Sequence, residues 1–177
     1  MKHKGTKTIK TERLILRKFK TKDYKDVYRY ARKDEVTKYV TWESHQNPEI
    51  TKKLCRHWKN QYIRKSVYRW AIEFEGRVIG CIDVVLSVDK TGVLGWVIDS
   101  EFWNKGIVTE AASAVKDYLL YEVGFETLVA AYVKENIGSG RVMQKIGMTQ
   151  IPYKDTAYYR VGKKLDENQI AFYRINK

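Results

Sequence analysis

Only two cysteines, two prolines and three histidines occur among the 177 residues. Cys55 and Cys81 carry no CxxC spacing, so neither a disulfide framework nor a cysteine zinc site is encoded. His3, His45 and His57 are scattered, which argues against a metal centre. No apolar run approaches the length of a membrane span, and the N-terminal MKHKGTKTIK lacks the apolar core of a signal peptide. A cytoplasmic protein is therefore expected. Repeats, linkers and low-complexity tracts are also missing, so residues 1–177 read as one domain.

Acid is scarce in the first part of the chain. Residues 1–70 carry 21 Lys and Arg against 7 Asp and Glu, whereas residues 71–177 carry 13 against 14. The net charge of +13 thus belongs to the N-terminal part, a surface that attracts anionic partners and repels polycations. What the chain does have is 44% hydrophobic and 13% aromatic residues, enough for a globular fold with a sizeable core. Basic and aromatic residues together would also suit a nucleic-acid-binding module, although no RNP-like, zinc-finger or helix-turn-helix pattern accompanies them.

Hydrophobic periodicity orders the elements. Thr11 to Arg17 alternates as a strand with Leu14 and Leu16 on one face. Thr21 can cap a helix bearing Tyr24, Val27, Tyr28 and Ala31, ending near Lys33. Residues 34–45 have no clean period and read as a loop or short helix. Asn47-Pro48-Glu49 starts a second helix with Ile50, Leu54 and Trp58 at helical spacing. Tyr68 to Phe74, Val78 to Leu86 and Val93 to Ile98 form an antiparallel meander. A helix from Ile107 then crosses over to a strand at Thr127 to Val133, parallel to its predecessor. A helix over residues 136–146 stops at Gly147, and a hairpin of 158–161 with 169–175 closes the chain.

The stretch between the meander and the crossover helix is Trp103-Asn104-Lys105-Gly106-Ile107-Val108-Thr109. A tight turn opening a helix presents unpaired N–H groups and the positive end of the helix dipole, which suits a phosphate or pyrophosphate. The plainer reading makes Asn104 a cap residue and Gly106 an ordinary turn glycine.

Three segments resemble one family. TERLILR at Thr11 to Arg17, FWNKGIVTEA at Phe102 to Ala111, and the pattern Asn136, Ser139, Arg141, Val142, Lys145, Gly147 are similar to the GNAT superfamily of N-acetyltransferases, in its ribosomal-protein N-acetyltransferase branch. The resemblance implies an α+β fold, with a single mixed, mostly antiparallel sheet of about seven strands, about four flanking helices and a splayed parallel pair at the cofactor site. It implies acetyl-CoA as donor, its pyrophosphate on the turn Trp103, Asn104, Lys105, Gly106, Ile107, Val108 and Thr109, and its pantetheine arm beside Val97 and Ile98. Asn136 would contact that arm, Ser139 would protonate the departing sulfur, and Arg141 would belong to the cofactor motif. Asn104 and Val108 depart from the branch, which has glycine and alanine or glycine there.

The general base is less legible. Spacing brings Tyr158 to the position where some relatives hold a carboxylate, and tyrosine is a poor base at neutral pH. Asp99 and Glu43 are further candidates, each with the plainer reading of an exposed loop acid. Trp42, Tyr39 and Trp103 are candidates for lining the acceptor pocket. The acceptor would be a primary amine, either a protein N-terminus, as in a ribosomal protein, or a small molecule. Nucleic acid and membrane are not expected partners, and the branch often forms homodimers. The alternative reading is a basic nucleic-acid-binding or CoA-sensing regulatory domain without catalysis.

Overall fold

The computed structural model describes residues 1–152 and 167–177. Among them, eight strands form one sheet: β1 (Ile9–Lys10), β2 (Leu14–Arg17), β3 (Arg69–Phe74), β4 (Arg77–Val88), β5 (Thr91–Ile98), β6 (Thr127–Val133), β7 (Thr149–Ile151) and β8 (Ile170–Asn176). Five α-helices flank it: α1 (Tyr24–Ala31), α2 (Asp34–Thr37), α3 (Pro48–Gln61), α4 (Ile107–Asp117) and α5 (Ile137–Lys145). The strand order is β1-β2-β3-β4-β5-β6-β8-β7. Every neighbouring pair is antiparallel except β5 and β6. This is the mixed, mostly antiparallel sheet expected, with one more strand and one more helix.

The parallel pair is short. Thr91 to Val93 pair with Thr127 to Val129, and there the ladder stops. Beyond it β5 stays with β4 as far as Ile98 opposite Gly80, while β6 stays with β8 as far as Val133 opposite Ile170. The two strands diverge, and a gap opens at their carboxyl ends. The α4 crossover holds one face of the sheet through Ile107, Ala111, Ala112 and Val115, all buried; the two alanines let the helix lie close. Alternation in β3 divides the core: Trp70 and Ile72 join the α4 side, while Ala71 faces Phe19, Val27, Tyr30, Cys55 and Cys81 under α1 and α3. No helix among the described residues is long and apolar enough to cross a membrane.

Several local expectations need correction. Thr21 does not cap the first helix; the Asp23 carboxylate accepts from Lys20 N–H at 2.7 Å, and a 3-10 turn precedes α1. α3 starts after Asn47 as expected; its fully buried residues are Thr51 and Cys55, Trp58 packs beside them, and Ile50 is 45% exposed. β1 and β7 were not legible: two or three residues give no period to detect. β8 forms near its expected bounds, pairing with β7, and the other expected arm, 158–161, lies outside the described residues.

One polar cluster fastens the segment just before β2 to the crossover helix. Glu110, in the first turn of α4, accepts from Thr11 Oγ1 at 2.6 Å, Arg13 N–H at 2.9 Å and Arg13 Nε at 2.7 Å. Arg13 Nη1 then donates to the Lys105 carbonyl at 3.0 Å, so the turn before α4 is held by the same segment. Burial works against the Glu110 charge, but these hydrogen bonds and the guanidinium outweigh it and hold the carboxyl below the usual range.

A depressed folded pKa contributes stability above the ordinary glutamate value of about 4.3 and loses it as pH falls through the folded value. Glu110→Gln should therefore lower the melting temperature near neutrality, with the gap to wild type closing between about pH 5 and pH 3, as thermal melts across that range would show. Gly80→Ala should also destabilise, because a Cβ there would lie 2.4 Å from the Val97 carbonyl oxygen. Backbone cannot give way cheaply, so a loss of about 1–3 kcal/mol in denaturant unfolding is expected.

Candidate active site

The turn entering α4 is shaped by two left-handed residues. Asn104 (φ 60°) and Gly106 (φ 73°) both adopt the left-handed region, on either side of Lys105. This explains the departure at Asn104: where backbone demands positive φ, asparagine is among the side chains that tolerate it best. The first hydrogen bond of α4 runs from Glu110 N–H to the Gly106 carbonyl at 3.0 Å. The N–H groups of Ile107, Val108 and Thr109 precede that bond and have no intrahelical acceptor. Val108 directs its bulk to the main core, and Ile107 is buried there. Trp103, Asn104, Lys105 and Gly106 are exposed.

Beyond the splayed strands lies a cleft of about 1710 Å³. One wall is a face of α3, since Ile50, Lys53, Leu54, His57 and Trp58 recur at helical spacing. A second is the segment Lys38 to Trp42 with His45; a third is β4 and β5 from Cys81 to Val97; the fourth is the end of β6 with the start of α5. The apolar stripe Ile50, Leu54 and Trp58 thus faces this cavity.

Of the expected site residues, Val97, Asn136 and Ser139 line the cleft, as do Tyr39 and Trp42. Ile98 is buried at the end of β5, and its carbonyl accepts from Trp103 Nε1 at 3.2 Å. Trp103 therefore folds back over the strand end and is not among the residues that line the cleft. Asn136 Oδ1 accepts from Ser139 N–H at 3.3 Å, so Asn136 caps α5 while facing the cavity. Arg141 is exposed on α5. Tyr158 lies outside the described residues. Glu43 is exposed and does not line the cleft.

Asp99 is the clearest correction. It is only 2% exposed, not a surface loop acid, and its Oδ1 takes the Lys33 ammonium at 2.7 Å and the Glu101 N–H at 3.3 Å. The hydrogen bond to Asp99 is the main force raising the Lys33 pKa. A carboxylate so engaged holds β5 to the start of α2 and is not a free base.

Three cleft residues escaped the sequence reading. Asp83 on β4 faces the cavity; its Oδ2 accepts from Arg69 Nε at 2.9 Å. Arg69 in turn donates to Gln61 Oε1 at 2.7 Å and lies over the Trp58 ring at 5.1 Å. Burial raises the Asp83 pKa, and Arg69 pulls it part of the way back. An acid within an otherwise apolar strand was the available signal, because carboxylates are seldom buried without a partner or a task. His45 Nδ1 lies 2.7 Å from Thr51 Oγ1, and burial lowers its pKa, which keeps the imidazole neutral at pH 7. The Tyr30 hydroxyl is buried with no hydrogen-bond partner among the described residues, and burial drives its pKa well up, so it stays a neutral phenol. No motif marks either.

A family model described as an acetyltransferase (GNAT) domain matches residues 13–149. An uncharacterised N-acetyltransferase of Bacillus subtilis, YnaD, is 34% identical over 141 residues, covering 79% of this chain and 81% of its own. A GNAT-family acetyltransferase from Bacillus anthracis superposes with a TM-score of 0.79 at 28% identity, over 96% of this chain and 98% of that one. RimL, a ribosomal-protein alpha-N-acetyltransferase solved in complex with coenzyme A, shares the fold with a TM-score of 0.79 at 16% identity, over 96% and 98% of the two chains. With the matched model spanning both the turn before α4 and the cap of α5, the chain belongs to the GNAT family of acetyltransferases.

Proposed function

We propose that the chain transfers the acetyl group of acetyl-CoA to a primary amine by direct attack in a ternary complex. The observation that carries this reading is the divergence of β5 from β6 after Val93, which leaves one edge of β5 unpaired among the described residues, between the turn and the cleft. Unpaired strand N–H and C=O groups are the natural partners of the two amides in a pantetheine arm. The turn from Asn104 to Thr109 receives the pyrophosphate on its N–H groups, with Lys105 beside it. Coenzyme A in the RimL structure and the shared fold support the same donor.

The reaction needs alignment more than covalent help from the protein. Holding amine and thioester in line supplies much of the acceleration, and a β5 N–H near Ile98 polarises the carbonyl. Asn136 positions the arm from the cap of α5. Ser139, one turn into the same helix and facing the cleft, delivers a proton to the leaving sulfur. The acceptor is a protein N-terminus or a small amine; an excess of cations in the first 70 residues disfavours polyamines.

Saturation with acetyl-CoA or CoA at a hundred times its dissociation constant should stabilise the protein by about 2.7 kcal/mol, read as a rise in melting temperature that ATP does not reproduce. No rise with either CoA species would overturn the proposal. Gly106→Val should abolish the rise, since a β-branched residue cannot hold the φ of 73° that shapes the turn. Ser139→Ala should keep the rise and lower kcat by about 10²–10⁴, the usual worth of a positioned proton donor.

A further inference from the structure

The charges and walls of the cleft say more about the acceptor than the family does. Among the described residues that line it, the acids are Asp83 and Glu135. Glu135 accepts a long contact from the Tyr39 hydroxyl at 3.4 Å and is exposed at the rim. Asp83 sits deeper. Its Oδ2 is taken by Arg69, while Oδ1 has no hydrogen bond among the described residues. Asp83 stands opposite Gly95 in the β4–β5 register, and a Cβ on Gly95 would come within 3.5 Å of Oδ1. The missing side chain leaves Oδ1 room above β5, the strand assigned to the donor.

Resting on the acetyl-transfer reading, we infer that Asp83 Oδ1 receives the acceptor's ammonium group and takes its first proton, and that the acceptor carries one positive charge on an apolar, ring-bearing body. The second half of this inference comes from the rest of the lining. Trp42, Trp58 and Tyr39 present ring surface, and Val85 and Leu86 on β4 are 60% and 45% exposed. Aromatic faces suit both a cation and an apolar body. Lys38 and Lys53 flank the same space, Arg69 is already matched to Asp83, and His45 and His57 add no negative charge. A second ammonium would meet cations with no free carboxylate at depth. Cys81 beside Asp83 is a buried thiol held neutral, and the Tyr62 phenol is likewise neutral, so neither competes for the ligand.

The chemistry balances without a further reactant. The ammonium gives a proton to Asp83, which passes it to solvent, and the freed nitrogen lone pair forms the C–N bond at the thioester carbonyl. The C–S bond breaks with its electron pair on sulfur. The remaining extra proton on nitrogen reaches the thiolate by way of Ser139, leaving the amide and the free thiol.

The test uses 2-phenylethylamine and its neutral counterpart 2-phenylethanol, with spermidine as a polycation. Binding is followed by tryptophan fluorescence, since Trp42 and Trp58 line the cleft, with and without saturating CoA. Wild type should bind the amine at least about tenfold more tightly than the alcohol, the worth of one charged hydrogen bond, and more tightly than spermidine. Asp83→Asn should reduce the amine preference to within about twofold while keeping the CoA-dependent rise in melting temperature. Equal binding of amine and alcohol by wild type, binding of neither, tighter binding of spermidine, or an intact preference in Asp83→Asn would each overturn the inference. Because the wild-type comparison needs no variant, misfolding of Asp83→Asn leaves it decisive. Failure of the donor reading would show separately, as no CoA-dependent rise in wild type.

Discussion

The site depends on a ladder that ends early. β5 and β6 begin as ordinary parallel neighbours, pair over three residues each, and then separate while each stays with its other neighbour. β4 holds β5 through eight register positions, and β8 holds β6 through seven. A sheet normally hides its backbone groups by pairing them. Here, among the described residues, unpaired edges are left at the carboxyl ends of parallel strands, beside the amino end of the crossover helix. A ligand that is an anion at one end and a chain of amides at the other fits that combination.

Around this gap the protein keeps its charges fastened. Arg13, Thr11 and Glu110 hold the turn from behind, and Lys33 and Asp99 hold the end of β5. Away from the gap, Arg17 bridges Asp23 and Glu73 in the same manner. Each of these is a network with several hydrogen bonds rather than an isolated surface pair, the arrangement in which a partly buried charge stabilises a particular geometry. Asp83 differs from them in one respect. Among the described residues it has a single cationic partner on one oxygen and leaves the other facing the cavity, and the Tyr30 hydroxyl in the same lining has no partner. Polar groups left incomplete inside a protein are uncommon, and they gather where a ligand completes them.

Much of the fold was legible because most of its elements follow the two periods that side chains impose. Leu14 and Leu16 alternate into the core, Trp70 and Ile72 do the same, and Ile107, Ala111 and Val115 mark the buried face of the crossover helix. The turn before α4 was legible from Gly106 and from the family pattern around it. Its left-handed Asn104 was not, since one residue's φ is set by how the strand and helix must join. In α3 the spacing of Ile50, Leu54 and Trp58 marked an apolar stripe, but periodicity says nothing of whether protein or cavity lies against a stripe, and only the fold shows that this one lines the cleft.

By itself, then, the sequence determined most of the strands and helices and the identity of the family, because these reside in local spacing and in residue types with few substitutes. Only the tertiary structure decided which charges are spent and which are free. Asp99 and Asp83 look alike in sequence, one an acid at the end of an apolar run and the other an acid inside one. Long-range contacts, with Lys33 for one and with Arg69 and a glycine across the ladder for the other, bury the first as a fastening and turn the second toward the cleft.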